Sequence, residues 1–288
     1  MPDGSGFLMA PARDVLVSLG SRLSPSMQVL GRLGERLHDP DAALDEIIQL
    51  VRMDPSLTFK IMRLANGVMF GTRNRCDSLE DAVARVGVGE IHRLVGLAAS
   101  HQAYQSDLVA YGFPAGLVWE NSVAVAASAA ALARRAGLDA RAGYTAGLLR
   151  NVGRAVLDQV PARCHYSRDE GLVEWEHRAF GCSGADVAGL LLGHWRFPDL
   201  LVAMVSDHLD PLAATGASAP LACLLNLACG LADDLGAGLP GELALWAFRG
   251  QAEGILGMDE VEVTACRDEA RVEIDRTRAA LGDLRAAA

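Results

Sequence analysis

Two pairs of neighbouring residues, Arg150-Asn151 and Asp207-His208, are the positions in this sequence where chemistry is most readily imagined. A neutral imidazole gives a lone pair to a metal, and a carboxylate gives anionic oxygens. Arg150 offers neither, because a guanidinium has no lone pair, stays protonated and repels a dication. Asn151 keeps one neutral oxygen without the charge. The seven histidines (His38, His92, His101, His165, His177, His194 and His208) include no pair three or four residues apart. No two of them would therefore share a helix face as neighbours. Glu174 and Glu176 are two apart and diverge on a helix for the same reason. No Gly-x-Ser-x-Gly elbow supports serine hydrolysis. The six cysteines form no Cys-x-x-Cys pair and read as buried or half-buried thiols. Gly236-Ala237-Gly238-Leu239-Pro240-Gly241 spells Gly-x-Gly-x-x-Gly. That string cradles a pyrophosphate only between a strand and a helix. The pattern before it is helical, so a loop between helices is expected. No catalytic residue, metal site or cofactor is assigned.

The balance of charge narrows the partners. A net charge of -10 among 288 residues gives no general positive surface for nucleic acid. Lys60 is the only lysine. Arg134-Arg135, Arg150 and Arg154 are candidates for a small basic face, although Arg134-Arg135 also suits the C-terminal end of a helix. Met1 to Pro11 lacks the pattern of a secretory signal. The apolar runs Val123–Ala133 and Ala219–Ala232 are shorter than the roughly 18 residues that suggest a span. A cytoplasmic chain with no membrane partner is expected.

The elements that must position these residues are helices. Between Asp41 and Met53, Leu44, Ile47, Ile48 and Val51 fall on one face. Asp54-Pro55 then starts a second helix with Leu57, Ile61 and Leu64, which is expected to end at Gly67. Ser78 and Asp81 resemble a capping box opening a short helix to Val86. Gly87–Gly89 turns the chain into a helix with Ile91, Leu94, Val95 and Ala98. Gly112-Phe113-Pro114 is the best internal boundary. Further helices are expected at Leu117–Arg135, around Arg150, at Leu172–Phe180, Ala185–His194 and Leu200–Asp207. Asp210–Pro220 reads as a loop, and Asp259–Leu281 as a charged amphipathic helix. The fold class is all-α, in two packed helical lobes. The segments are 1–20 (N-terminal), 21–112 (first lobe), 113–215 (second lobe) and 216–288 (C-terminal helical extension). Aromatics make up 5% of residues, so Leu, Val and Ala must fill the core.

A run of short motifs adds a family resemblance. Leu23-Ser24-Pro25, Asp54-Pro55-Ser56-Leu57-Thr58, Leu64-Ala65-Asn66, Phe70-Gly71, Ser78-Leu79, Ala82-Val83 and Val86-Gly87 follow in order. Trp119-Glu120-Asn121-Ser122, Ala142 to Gly153, Glu176, Phe180 to Gly184 and Trp195 to Pro198 continue it. Together they resemble the HDOD family, a bacterial group related to the HD metal phosphohydrolases, over about Leu23 to Asp210. The resemblance implies that Arg150-Asn151 stands where those hydrolases have His-Asp. It also implies that Asn121 and Gly184 stand at positions often held by histidine. Asp207-His208 stands where His-His is common, leaving His208 as the one ligand-like residue.

HDOD proteins are generally non-catalytic signalling modules, so the resemblance implies a regulatory module that binds a protein partner. The inter-lobe cleft and the degenerate groove of Asn121, Arg150, Asn151, Gly184, Asp207 and His208 are its expected working surfaces. A guanidinium facing that groove either pairs with a carboxylate such as Asp207 or receives an anion. The internal pair is favoured, since buried charges are usually compensated. Two alternatives remain: a sensor of an anionic small molecule or nucleotide, and a residual metal-dependent phosphohydrolase. The last helix could be a solvated face or a homodimer contact.

Overall fold

Helix starts and stops fall where local chemistry places them. The computed structural model describes residues 10–23, 26–37, 44–66 and 76–285. Its first helices are α1 (Arg13–Leu23), α2 (Ser26–Leu37), α3 (Leu44–Arg52) and α4 (Pro55–Ala65). The expected start of α3 at Asp41, the stop at Gly67, and Ser24-Pro25 and Phe70-Gly71 lie outside the described residues. Ile47, Ile48 and Val51 are buried on one face of α3, as their spacing requires. The Asp54 carbonyl accepts from the Thr58 N–H, while its carboxylate accepts from the Ser26 hydroxyl and ties α4 to α2.

Ser78 caps α5 (Leu79–Val86) by accepting from the Asp81 N–H. Gly87, at φ 84°, then allows a direct turn into α6 (Val88–Ala103). After an isolated antiparallel bridge between Leu108 and Phe113, Pro114 opens α7 (Ala115–Ala136), which ends at left-handed Gly137. There follow α8 (Ala140–Leu149), α9 (Val152–Leu157), α10 (Leu172–Phe180), α11 (Gly184–His194) and α12 (Asp199–Asp207). The Asp210–Pro220 stretch ends in a 3-10 turn, Gly216–Ser218, that leads into α13 (Ala219–Asp234). A second 3-10 segment (Leu243–Phe248), α14 (Arg249–Leu256) and α15 (Glu260–Arg285) complete the chain, with no strand among the described residues.

Helix α7 is the axis. It packs against α8, α13 and α15, and Ser122 to Ala133 are all buried. Small residues make this possible. A Cβ on Gly147 would lie 2.5 Å from the Ala126 backbone, so α7 and α8 touch main chain to main chain. This is the structural use of an Ala-rich, aromatic-poor core.

One apolar core runs from Leu16 to Ile274 and joins the two lobes. Helix α1 packs on α9 and α11, and α13 packs on α7, α8 and α12. The segment after Pro220 is therefore built into the core. Val263, Cys266, Ala270 and Ile274 bury one face of α15, and Arg134 and Arg135 of α7 form ion pairs with Glu269 and Glu262 of α15. These two arginines thus sit on the surface, away from buried Arg150 and Arg154, and the four form no common basic face. Helix α7 and the stretch Gly216–Asp234 are long and apolar enough to cross a membrane, because the helices extend past the apolar runs. Both are mostly buried within the fold. The cysteines are free, four buried and two half-buried.

Candidate functional site

Arg150 and Asn151 occupy the turn between α8 and α9, so the helix expected to hold Arg150 stops one residue before it. The turn points both side chains at α7, where Asn121 and Ser122 sit. Helix α9 adds Arg154, α10 adds Glu176, the end of α12 adds His208, and the turn after α13 adds Glu242. Asn121, Arg150, Asn151, Arg154, Glu176, His208 and Glu242 are all 0–2% exposed.

The network closes on two guanidinium groups. Glu242 grips Arg150 with both oxygens, Oε2 at 2.6 Å from Nη2 and Oε1 at 3.2 Å from Nη1. Its Oε1 also lies 2.5 Å from Nη1 of Arg154. Arg150 Nη2 donates to Asn121 Oδ1 at 3.0 Å, and its guanidinium lies 5.9 Å from the Trp246 ring centre. Arg154 donates to Glu176 Oε1 at 2.7 Å and to Asn151 Oδ1 at 2.8 Å. Asn151 donates on to Asn121 Oδ1 and to the Ser122 hydroxyl, and Asn121 donates to the Ala237 carbonyl at 2.8 Å. Two arginines and two glutamates cancel in charge. Such a cluster is tolerable in a dry interior because each charge has partners.

Local electrostatics fix the protonation states. Burial pushes the Glu242 carboxyl up, but Arg150 and Arg154 pull harder and hold it down at about 2. Burial lowers His208 to about 3, and the Arg150 charge acts in the same direction. The His208 Nδ1 lies 2.7 Å from the Val205 carbonyl, which can only accept, so that nitrogen carries the proton. Nε2 therefore turns its lone pair to Arg150 Nη1 at 3.2 Å. Burial opposes the charge on both arginines; Cys229 and Glu242 outweigh it for Arg150, and Glu242 and Glu176 outweigh it for Arg154.

Of the six residues singled out from the sequence, Asn121, Arg150, Asn151 and His208 meet in one cluster. Gly184 borders it, with its N–H donating to Glu176 Oε2 at 2.7 Å. A Cβ there would come within 2.6 Å of Arg154 Cγ, so Arg154 fills the space a larger residue at 184 would need. Asp207 is not part of the cluster. The end of α12 turns His208 inward and leaves Asp207 half-buried in a surface cavity beside Glu174 and Asp210. The proposed pairing of Arg150 with Asp207 is thus corrected: its carboxylate is Glu242, 92 residues away in sequence.

Glu242 carried no motif. The one available signal was arithmetic, since two buried arginines require two carboxylates and Glu176 supplies one. The Gly236–Gly241 string is a loop between helices, as expected, and its role is to deliver the Ala237 carbonyl and Glu242 to the network.

An all-α fold with a buried polar cluster where α7, α9, α10 and α12 meet defines the class of protein. The HDOD domain family matches residues 23–211, and the chain belongs to that family. An HDOD domain protein of unknown function from Geobacter sulfurreducens superposes with a TM-score of 0.67 at 22% identity, covering 93% of this chain and 98% of that one. A candidate phosphohydrolase from Shewanella amazonensis SB2B gives 0.66 at 20% identity, covering 89% and 98%. A candidate signal transduction protein from Marinobacter aquaeolei VT8 gives 0.66 at 23% identity, covering 94% of this chain and 65% of that one. An uncharacterised protein of Treponema pallidum is 27% identical over 144 residues, a match spanning 48% of this chain and 27% of that protein.

The residues here do not fit the metal of the related hydrolases. Ligating atoms exist, in His208 Nε2 and the carboxylates of Glu176 and Glu242. Each already faces guanidinium N–H groups at 2.5–3.2 Å. The four ionised groups sum to zero, so a dication would add two uncompensated charges to a dry interior. Among the described residues no three His, Cys, Asp or Glu side chains are grouped to hold an ion.

Proposed function

We propose that this chain is a non-catalytic regulatory module of the HDOD type, acting in the cytoplasm by binding a partner protein of a signalling pathway. Membership of the HDOD family supports the reading, as does a fold shared with a candidate signal transduction protein. The observation that carries it is the Arg150–Glu242–Arg154–Glu176 cluster, which engages the donor atoms that hydrolysis would need. The same cluster argues against an anion sensor at Arg150, because Glu242 already answers that charge in a side chain with no solvent exposure.

The test is elemental analysis of untagged protein purified without chelator, together with hydrolysis of bis(p-nitrophenyl) phosphate in the presence of Mn²⁺ or Mg²⁺. The expected results are substoichiometric metal and no turnover above buffer. Stoichiometric metal that disappears in His208→Ala, accompanied by turnover, would overturn the reading.

A further inference from the structure

A cavity of about 640 Å³ opens between the two lobes, away from the buried cluster, and lies within the range of small-molecule sites. Phe197, Leu201, Met204 and Leu221 give it an apolar wall. Thr145 lies in the same wall, 3% exposed, and brings a hydroxyl to this otherwise apolar lining. A hydroxyl on a cavity wall can hydrogen-bond a polar group of an occupant. One turn earlier on α8, the half-exposed Arg141 also lines the cavity. The ion pair it forms is a loose one, 3.8 Å from the Asp139 carboxylate that caps α8. The other carboxylate at the rim, Glu35, is exposed to solvent.

His92 and Arg141 line a second, more polar cavity of about 810 Å³ as well. There Tyr144, 6% exposed, sets its hydroxyl close to the Arg93 guanidinium. An apolar chamber thus adjoins a polar one, with the underused guanidinium between them.

We propose that this inter-lobe cavity binds a small amphiphilic anion, with its aliphatic or aromatic body against Phe197 and Met204 and its carboxylate or sulfonate head on Arg141 and Thr145. A guanidinium favours a planar oxyanion, which it can meet with two parallel N–H donors. The lining comes from α2 and α6 on one side and α8, α12 and α13 on the other, so an occupant would tie the lobes together.

The test uses the full chain and 1-anilinonaphthalene-8-sulfonate, itself an aromatic anion, with dodecanoate, dodecanol and dodecyltrimethylammonium as competitors. Saturable fluorescence displaced by dodecanoate and not by the cation is expected. Ala217→Trp, at an exposed position on the cavity wall, should abolish the saturable signal. Arg141→Gln should weaken dodecanoate by about tenfold while leaving dodecanol unchanged. Failure of dodecanoate to displace the probe, equal displacement by the cation, or unaltered binding in both variants would overturn the proposal. None of these outcomes bears on the metal content or hydrolysis of the buried cluster.

Discussion

Substituting Glu242→Gln tests the buried network most directly. The side chain is 1% exposed and touches both Arg150 and Arg154. Removing its charge leaves two buried guanidinium groups facing one carboxylate. That carboxylate, Glu176, reaches only Arg154, so Arg150 loses its anion. Breaking a buried pair on one side costs about 3–5 kcal/mol. For a domain of this size each kcal/mol moves Tm by roughly 2–4 °C, giving a fall of roughly 6–20 °C. Urea unfolding followed by circular dichroism at 222 nm, with a thermal scan, measures both quantities. Adding Arg150→Met removes the orphaned charge, and replacement of a whole buried pair by apolar groups is often near neutral. The double variant should therefore be more stable than Glu242→Gln alone. A loss below about 1 kcal/mol in the single variant, or a double variant less stable than the single, would refute this reasoning.

His208 supplies a pH dependence with a defined sign. Its pKa is held at about 3, below the ordinary 6.5, so its neutral form is favoured by folding. That contribution is complete above pH 6.5 and is lost as pH falls towards 3. At pH 5 the loss is about 2 kcal/mol, and His208→Gln should flatten the slope between pH 7 and 5 in urea titrations; an unchanged slope would contradict the assignment. Glu242, lowered to about 2 from 4.5, adds a further loss only below pH 4.5. Gly153→Ala should destabilise more than Gly184→Ala, because its Cβ meets the Gly184 main-chain oxygen at 1.9 Å while the other meets the Arg154 side chain at 2.6 Å. Equal melting temperatures for the two would show that α9 and α11 yield easily. Arg196→Gly should gain up to about 1 kcal/mol, since Arg196 holds φ 62° on the surface; any loss of stability would indicate an unrecognised contact of that side chain.

Much of this protein was decided by local sequence. Ser78 with Asp81, Ser183 with Asp186, Gly137 and Pro114 each satisfy or release main-chain groups within a few residues. Helix ends built this way can be read without knowing what packs where. Apolar residues at three and four placed the buried faces of α3 and α6 correctly. The family motifs likewise pointed to Asn121, Arg150, Asn151 and His208 as neighbours, because they carry the arrangement of a whole fold.

What the sequence could not decide was how charge is balanced in the interior. Asp207 adjoins His208 in the chain, and local reasoning made it the natural partner of Arg150. Consecutive residues at a helix end face different ways, so Asp207 stays at the surface while His208 enters the core. Glu242 reaches Arg150 only because α13 packs on α7 and the following Gly-rich turn reverses the chain. No spacing rule spans 92 residues. The sequence by itself determined the helices and set Arg150 and Asn151 side by side in the chain; tertiary packing alone determined which carboxylate answers that arginine.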